Sequence, residues 1–239
     1  MSEHECRVYL EHLHYLVKMQ SREAFQHAWK NLDYMEARSI SKFGLAQHMG
    51  LVERFTLSGH SDHMSRSLSN GQIESKLWLV STLLNVLPAQ PYRIAIIGGW
   101  TGLLSNLIFW RMPNLVAQIT QIEIDPEAQW IAKQFLDDAR THDKFCQVTQ
   151  DANGYDFSLN HHLIINCSTE HFADNTWFSN IPKSRFVALQ STDNTKEPTH
   201  VNCVFEMKDF RIRYPLEMTL YHGYTDLPDY RRYMRIGRI

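Results

Sequence analysis

A group of glycines directly after an apolar run could hold a nucleotide-like ligand. The run covers residues 94–97, and the turn that follows has three glycines around a tryptophan: Gly98, Gly99, Trp100 and Gly102. Glycine allows a tight turn and lets a ligand approach the main chain closely. A second apolar segment ends in Glu123, an acid that can accept hydrogen bonds from ribose hydroxyls. Strand, glycine turn, helix and acid-ended strand is the order that a nucleotide-binding βαβ unit needs.

Polar residues also follow the next two predicted strands. Asp151 and Ala152 come after the segment 145–149, and Asn166 comes after the segment 162–165. In open α/β sheets, ligands bind in the crevice outside the carboxyl ends of the strands. We therefore expect the glycine turn, Glu123, Asp151 and Asn166 to border one crevice.

The segment that begins at Asn166 carries groups that could act on a bound ligand. Glu170 or His171 could remove a proton, and Asn166 could orient an acceptor amine. Solvated polar residues at the start of a helix would give the same pattern, so both interpretations stay open. A second polar segment after the fifth predicted strand could contact the acceptor or form an ordinary loop; it contains Gln190, Asp193 and Asn194.

Thirteen histidines and four cysteines contain no strong metal-binding pattern. His60 and His63 are three residues apart with Asp62 between them, so they could bind a metal from one helical turn. A polar loop that happens to hold histidines is the favoured interpretation. The cysteines lack CxxC spacing and are expected to be free thiols. We therefore predict no metal site.

Composition is that of an ordinary globular protein of 239 residues with a net charge of −2. There is no apolar run of 18 residues and no signal-peptide pattern, so we expect a cytoplasmic protein without a membrane partner. The basic, aromatic segment 230–238 could contact RNA, but a strand gives the same pattern and is favoured. The sequence makes no prediction of oligomeric state.

Hydrophobic periodicity divides the chain into two parts. Residues 1–87 read as a helical cap, with helices over 5–38, about 41–49 and 72–87, and a polar connection over 56–71. A capping box, Ser69 with Gln72, would start the last helix. Residues 88–239 alternate short strands with helices and end in two extended segments, 218–224 and 233–239. This pattern predicts an α/β core with a mostly parallel sheet and a C-terminal antiparallel hairpin.

Residues 92–239 resemble the class I S-adenosylmethionine-dependent methyltransferases. Ile-Ile-Gly-Gly-Trp-Thr-Gly is similar to the family's glycine motif, and Gln-Ile-Glu-Ile-Asp-Pro-Glu-Ala to its second motif. Gln-Asp-Ala resembles the third motif, and Leu-Ile-Ile-Asn the fourth strand. The resemblance implies a Rossmann-like three-layer sandwich and S-adenosylmethionine as cofactor. It implies that Glu123 holds the ribose, that Asp151 reaches the adenine amino group, and that most members need no metal.

The resemblance leads to the hypothesis of a methyltransferase for a small-molecule or modest-sized acceptor, with the helical cap as a lid. Trp100 replaces the middle glycine of the usual turn, so a non-catalytic binding or assembly module stays an alternative. Aminopropyl transfer, as in the spermidine synthase group, is another alternative, although Asn166 stands where that group usually has acids. The segment after Asn166 lacks the two prolines that are typical of methyltransferases for base amino groups. Only one glycine fits the GxGxxG pattern of a nicotinamide dehydrogenase.

Overall fold

A seven-stranded sheet organises the chain. The computed structural model describes residues 1–19, 45–136 and 143–239. Its strands are β1 (Tyr92–Ile97), β2 (Val116–Glu123), β3 (Phe145–Thr149), β4 (Leu163–Asn166), β5 (Phe186–Thr192), β6 (Met218–Asp226) and β7 (Arg231–Arg238). They lie in the order β3-β2-β1-β4-β5-β7-β6.

Strands β1 to β5 pair in parallel, whereas β7 pairs antiparallel with both β5 and β6. The predicted C-terminal antiparallel hairpin is therefore confirmed. The strand order reverses at β1, which lies between β2 and β4. Such a switch point leaves a crevice at the carboxyl ends of the strands, where ligands bind in open α/β sheets.

Helices and loops cover both faces of the sheet. The described α-helices are α1 (Glu3–Met19), α2 (Leu45–Leu57), α3 (Ser61–Ser67), α4 (Asn70–Val86), α5 (Leu103–Arg111), α6 (Pro126–Phe135), α7 (Thr176–Ser179) and α8 (Met207–Arg213). Because successive side chains of a strand point to opposite faces, β1 contributes Ile94 and Ile96 to one core and Ala95 and Ile97 to the other. The first core includes α1, α4, α5 and α6, and the second includes α7 and α8. The three-layer sandwich is confirmed.

The N-terminal helices pack on the sheet and share one of its cores. Leu10 and Leu13 of α1 and Leu77 of α4 lie in the same buried cluster as Ile94 and Ile119. A cap packed on the core is what the sequence predicts; the boundary at residues 87 and 88 stays a prediction. Residues 20–44 lie outside the described residues, and with them the later part of the helices predicted over 5–38 and the start of that over 41–49. No helix among the described residues is long and apolar enough to cross a membrane.

The prediction of a continuous polar loop over residues 56–71 was wrong. It contains α3, because Met64 and the following Leu68 are completely buried and fix a helical turn against the core. Ser69 does occupy the N-cap of α4, but its side chain makes no capping hydrogen bond, so the predicted capping box does not form. In this helix Leu79 and Leu83 are buried, whereas Leu84 is 36% exposed.

Candidate active site

A cavity of about 710 Å³ lies at the carboxyl ends of the central strands. This volume is in the range of small-molecule and cofactor sites. We divide its wall into two parts. The glycine half consists of residues 98–101, Glu123, Asp151 and Ala152, and the charged half consists of Lys76, Glu170, His171, His200 and Arg232.

The glycine turn needs glycine at three positions. Gly98 and Gly102 have φ angles of 60° and 82°, in the left-handed region that side chains rarely adopt. At Gly99, an added Cβ would lie 2.4 Å from the Gln121 side chain. The Gly98 N–H donates to the Ile122 carbonyl over 2.9 Å, which fixes the turn to β2.

Trp100 does not disrupt this turn. Its φ of 46° is also left-handed, which is uncommon for a bulky residue. Its N–H donates to Glu123 Oε2 over 2.9 Å, and its carbonyl accepts from Gln121 Nε2 over 2.9 Å. The side chain is half-buried and forms part of the cavity wall. Two side chains of β2 therefore hold the Trp100 backbone in a conformation that keeps the cavity open.

Glu123 lies at the end of β2, only 9% exposed, and borders the cavity. Its Oε2 accepts from the Trp100 N–H, and its Oε1 accepts from the Asp125 N–H over 3.1 Å. Each carboxylate oxygen has two lone pairs, so each can accept a second hydrogen bond from a ligand hydroxyl. Asp125 caps α6 by accepting from the Glu127 N–H over 2.8 Å.

Asp151 and Ala152 lie beside Glu123. The Gln150 N–H donates to the Glu123 carbonyl over 3.1 Å, which joins the two strand ends. The exposed Asp151 accepts from the Asn153 N–H through Oδ1 and starts a short 3-10 helix, Ala152–Gly154. Ala152 is small and buried in the wall of the cavity. The structure thus brings together the sequence-predicted residues of the glycine half.

Asn166 does not belong to the cavity wall. It is completely buried at the end of β4, and its Oδ1 accepts from the Ser168 N–H over 2.8 Å. Cys167 and Ser168 form the wall at this point instead. The expectation that Asn166 contacts a ligand is therefore corrected: its side chain turns the chain out of β4.

Glu170 forms a buried ion pair with Arg232. The Oε1 atom of Glu170 lies 2.6 Å from Nη1 of Arg232, and both side chains are almost fully buried. Arg232 also donates through Nη2 to the Cys167 carbonyl. Glu170 and His171 belong to a 3-10 turn, Thr169–His171, in which His171 is exposed. The interpretation as solvated polar residues therefore fails for Glu170 and holds only for His171.

His171 meets His200 at the mouth of the cavity. The ring centroids are 4.7 Å apart at an interplanar angle of 82°. Nδ1 of His200 lies 2.6 Å from the Asn194 carbonyl oxygen. Because a carbonyl can only accept, Nδ1 carries a proton, and Nε2 is the ring nitrogen that could bind another group. Desolvation lowers the pKa of His171, against the opposing charge of Glu170, so the neutral ring of His171 is favoured.

Lys76 of α4 extends into the charged half from the N-terminal helices. Desolvation by burial lowers the pKa of Lys76 to about 8. The side chain donates to Gln72 Oε1, one turn earlier in α4. Burial also raises the pKa of the neighbouring Cys167 thiol. A lysine with a pKa this close to neutrality is a candidate functional group.

Sequence reasoning missed Lys76, His200 and Arg232. Lys76 and His200 belong to segments that no motif marks. Arg232 lies in the basic segment 230–238, for which a strand was the favoured interpretation. The polar segment after β5 was a partial signal, because Asn194 does border the cavity. Gln190, from the same segment, is buried and donates to the Ser75 carbonyl over 2.8 Å. Asp193 accepts from the Arg231 N–H.

The histidines that the sequence marked as a weak metal pattern lie elsewhere. His60 Nδ1 lies 2.6 Å and His63 Nε2 4.0 Å from Glu127 Oε1. Both side chains link α3 to the start of α6. A metal bound by these two histidines was the less favoured alternative, and among the described residues they belong to no cluster of three possible metal ligands.

Comparisons with known proteins agree on the fold. The sequence matches no protein-family model and no curated protein. The N-methyltransferase NodS from Bradyrhizobium japonicum, in complex with S-adenosyl-L-homocysteine, aligns with a TM-score of 0.57 at 14% identity over 74% of this chain and 92% of that chain. Magnesium protoporphyrin IX methyltransferase from Synechocystis PCC 6803, with bound S-adenosylmethionine, aligns with a TM-score of 0.52 at 12% identity over 71% of this chain and 83% of that chain. A protein from Pyrococcus horikoshii assigned as an RNA methyltransferase aligns with a TM-score of 0.51 at 12% identity over 71% of this chain and 84% of that chain.

All three structures are described as methyltransferases. At 12–14% identity, the likeness concerns the fold and leaves the acceptor open. The chain has the fold of the class I S-adenosylmethionine-dependent methyltransferases.

Proposed function

We propose that this chain is an S-adenosylmethionine-dependent methyltransferase that acts on a small-molecule or modest-sized acceptor. One observation carries the proposal: the glycine turn is intact around Trp100 and is held by the Glu123 carboxylate at the edge of a large cavity. A degenerate fold that binds nothing would have no reason to keep two left-handed glycines at this turn.

The glycine half suits the cofactor. We assign the ribose hydroxyls to Glu123, whose two oxygens can each accept one further hydrogen bond. We assign the adenine amino group to Asp151, and the methionine part to the turn from Gly98 to Gly102. Trp100 would then form a wall of the methionine site. These roles follow from the motifs by which the chain resembles the family. All the assigned residues border the cavity except Gly102, which is buried and shapes the turn.

The charged half suits the acceptor. Methyl transfer requires the acceptor atom in line with the sulfonium methyl group, and a hydroxyl or ammonium acceptor must also lose a proton. Of the three catalytic candidates from sequence, His171 is the best base, because its ring is exposed and its neutral form is favoured. Glu170 would position the acceptor or His171, since Arg232 already occupies one of its oxygens. Asn166 drops out because it is buried outside the cavity.

A small acceptor fits the walls better than a nucleic acid does. The helices α3 and α4 contribute Arg66, Gln72 and Lys76 to the cavity, so the N-terminal part covers the acceptor side as a lid would. In the basic C-terminal segment, Arg232 and Arg235 are buried instead of forming a basic surface. RNA phosphates would need exposed cations at this place.

Thermal unfolding with S-adenosylhomocysteine tests the cofactor assignment. At a ligand concentration about 100-fold above Kd, binding contributes about 2.7 kcal/mol to the free energy of unfolding. We expect a rise of several degrees in Tm for the wild type and none for Glu123→Ala. The matched control Glu127→Ala removes an exposed acid four residues later and should keep the full rise. A wild-type Tm that moves with neither S-adenosylhomocysteine nor S-adenosylmethionine would contradict the assignment.

Product analysis separates methyl transfer from transfer of a longer alkyl chain. The protein would be incubated with S-adenosylmethionine and a low-molecular-weight cell extract. Methyl transfer releases S-adenosylhomocysteine, whereas transfer of the carbon chain releases methylthioadenosine. Detection of methylthioadenosine as the enzymatic product would favour the second reaction.

A further inference from the structure

We propose that Glu170, His171 and His200 bind a divalent transition-metal ion of the zinc type. One donor atom of each residue lies within 4.8 Å of the other two. Among the residues that the structure describes, this is the one cluster of three or more histidine, cysteine or acidic side chains with such spacing. All three border the same cavity as the glycine turn.

The donor set is the first argument for this ion. Imidazole nitrogen and carboxylate oxygen are good ligands for zinc and its neighbours, and two histidines with one glutamate form a known type of catalytic zinc site. Three protein ligands leave a fourth position open for water or substrate. Here the open position would face the cavity, because the three side chains lie on its wall.

The buried carboxylate of Glu170 is the second argument. Arg232 binds its Oε1, but no group in the described part of the chain donates to its Oε2, and the residue is only 2% exposed. Buried polar atoms in native structures nearly always have a partner. A metal ion bound to Oε2 would supply it, while the bond from Arg232 to Oε1 would keep the carboxylate in its orientation.

Contacts behind the ligands support the same site. Metal-binding histidines usually donate their second ring N–H to a carbonyl or carboxylate. His200 does so through Nδ1 to the Asn194 carbonyl, which leaves Nε2 for the ion. The N–H groups of Val201 and Asn202 both donate to the Glu170 carbonyl over 2.9 Å. The backbone therefore fixes His200 and Glu170 relative to each other, although they are thirty residues apart.

His171, the third ligand, can complete the metal site by a change of side-chain conformation. Zinc–nitrogen and zinc–oxygen bonds are about 2.0–2.2 Å long, so two donors on one ion lie at most about 4.4 Å apart, and any pair near the 4.8 Å limit must approach. His171 is exposed and can do this by side-chain rotation. The two imidazole rings meet edge to face with centroids 4.7 Å apart, so such a rotation must also change this contact.

The role of the ion rests on the proposed methyltransferase function. Ser168 lies against Gly98, 3.8 Å from the position of an added Cβ there. Because Glu170 is two residues after Ser168, the three proposed metal ligands lie next to the glycine turn. A bound metal ion lowers the pKa of a coordinated oxygen acid. An acceptor hydroxyl on the open position would release its proton to solvent, and its oxygen would attack the sulfonium methyl. The sulfur–methyl bond would break, leaving S-adenosylhomocysteine and a methyl ether. The ion would then replace His171 as the group that activates the acceptor.

Metal titration tests the site without any methyl transfer. Tag-free protein is stripped with a chelator, and Zn²⁺ binding is followed by calorimetry and Co²⁺ binding by visible absorption. We expect one ion per chain, and at least about 10-fold weaker binding for His200→Ala and for His171→Ala, since even residues behind the ligands cost that much. The control His222→Ala removes an exposed histidine of β6 and should bind as the wild type does.

The outcomes separate the site from the reaction. Wild-type protein that binds no ion, or His200→Ala and His171→Ala that both bind as tightly as His222→Ala, would overturn the metal site. Both variants change residues near the surface, and near-ultraviolet circular dichroism checks their fold. Addition of S-adenosylhomocysteine should change the Co²⁺ spectrum, because both ligands share one cavity. An unchanged spectrum in protein that binds S-adenosylhomocysteine would overturn the role in acceptor activation, whereas failure to bind it at all would count against the proposed function and leave the ion in place.

Discussion

The two halves of the cavity are built in different ways. The glycine half is made mainly of backbone: a left-handed turn whose N–H and carbonyl groups are held by Glu123 and Gln121 of the adjacent strand. The charged half is made of side chains from four distant segments, with an ion pair of Glu170 and Arg232 at its centre. The first half therefore depends on conformation, and the second depends on charge neutralisation.

This difference explains which half shows in the sequence. Backbone conformation needs glycines at fixed places next to a strand, and such local spacing can be recognised. Charge neutralisation needs only that two charged residues meet, and Glu170 and Arg232 meet across 62 positions. Substitutions in the two halves should have effects on stability that differ in both size and kind. Three substitutions test this comparison.

The largest effect should come from Arg232→Ala in the charged half. It leaves the buried Glu170 carboxylate without its partner, and breaking a buried ion pair in this way costs about 3–5 kcal/mol. We expect this loss in the free energy of unfolding measured with urea. Arg231→Ala is the matched control, because Arg231 pairs with the exposed Asp226 and such surface pairs contribute little to stability.

Equal losses for the two arginine variants would contradict the special position of Arg232. They would mean that the Glu170 carboxylate is hydrated or protonated at no cost when its partner is removed. The charged half would then be no more than a polar surface.

A smaller effect should come from Gly102→Ala in the glycine half. The φ of 82° disfavours any side chain, and the new Cβ would lie 2.9 Å from Leu136 Cδ1. A non-glycine residue in the left-handed region costs about 1–3 kcal/mol, which thermal or urea unfolding would detect. Gly50→Ala is the control, since Gly50 lies inside α2 with no atom within 4 Å of an added Cβ. It should gain up to about 1 kcal/mol.

If Gly102→Ala were as stable as the wild type, the turn would not be under conformational constraint. The contrast between a half defined by backbone and a half defined by charge would then be lost. If the variant is less stable but binds S-adenosylhomocysteine normally, the conformation of the turn matters for folding and not for cofactor binding.

The smallest effect, and the one that depends on pH, should come from Lys76→Met. Burial lowers the pKa of Lys76 from 10.5 to about 8. Below pH 8 the lysine is charged in both folded and unfolded states, and the folded state bears the full cost of burying that charge. Between pH 8 and 10.5 the folded state loses its proton first, so this cost fades as pH rises.

We therefore expect Lys76→Met to be more stable than the wild type at pH 7, with the difference declining toward pH 10.5. Because Lys76 is still partly exposed, the gain should be on the order of 1 kcal/mol. Urea unfolding at several pH values measures it. Lys133→Met, an exposed lysine of α6, should show no such trend. A gain that grows with pH would have the wrong sign for a buried, charged lysine.

Much of the fold could be predicted from sequence because its signals are local. Apolar runs mark β1, β2 and β4, Asp125 with the following proline marks the start of α6, and the C-terminal segments mark the reversed strand. The failure at α3 has a tertiary cause. Its sequence is polar and serine-rich, and two apolar residues, Met64 and Leu68, hold it against the core.

The only site residues that could be predicted from sequence are those that come directly after a strand. Asn166 shows the limit: a residue at the end of a strand was expected at the crevice, but its side chain is used to turn the chain. The positions of His200 and Lys76 depend on how the loop after β5 and the helix α4 pack over the sheet. No spacing along the chain contains that information.

A crystal structure with S-adenosylhomocysteine tests the division of the cavity most directly. We predict the ribose on Glu123, the adenine beside Asp151, and the sulfur directed toward Glu170, His171 and His200, with the space between them free for an acceptor. Ligand bound among the charged residues with an empty glycine turn, or a crystal soaked at saturating concentration with no ligand in the cavity, would contradict the account.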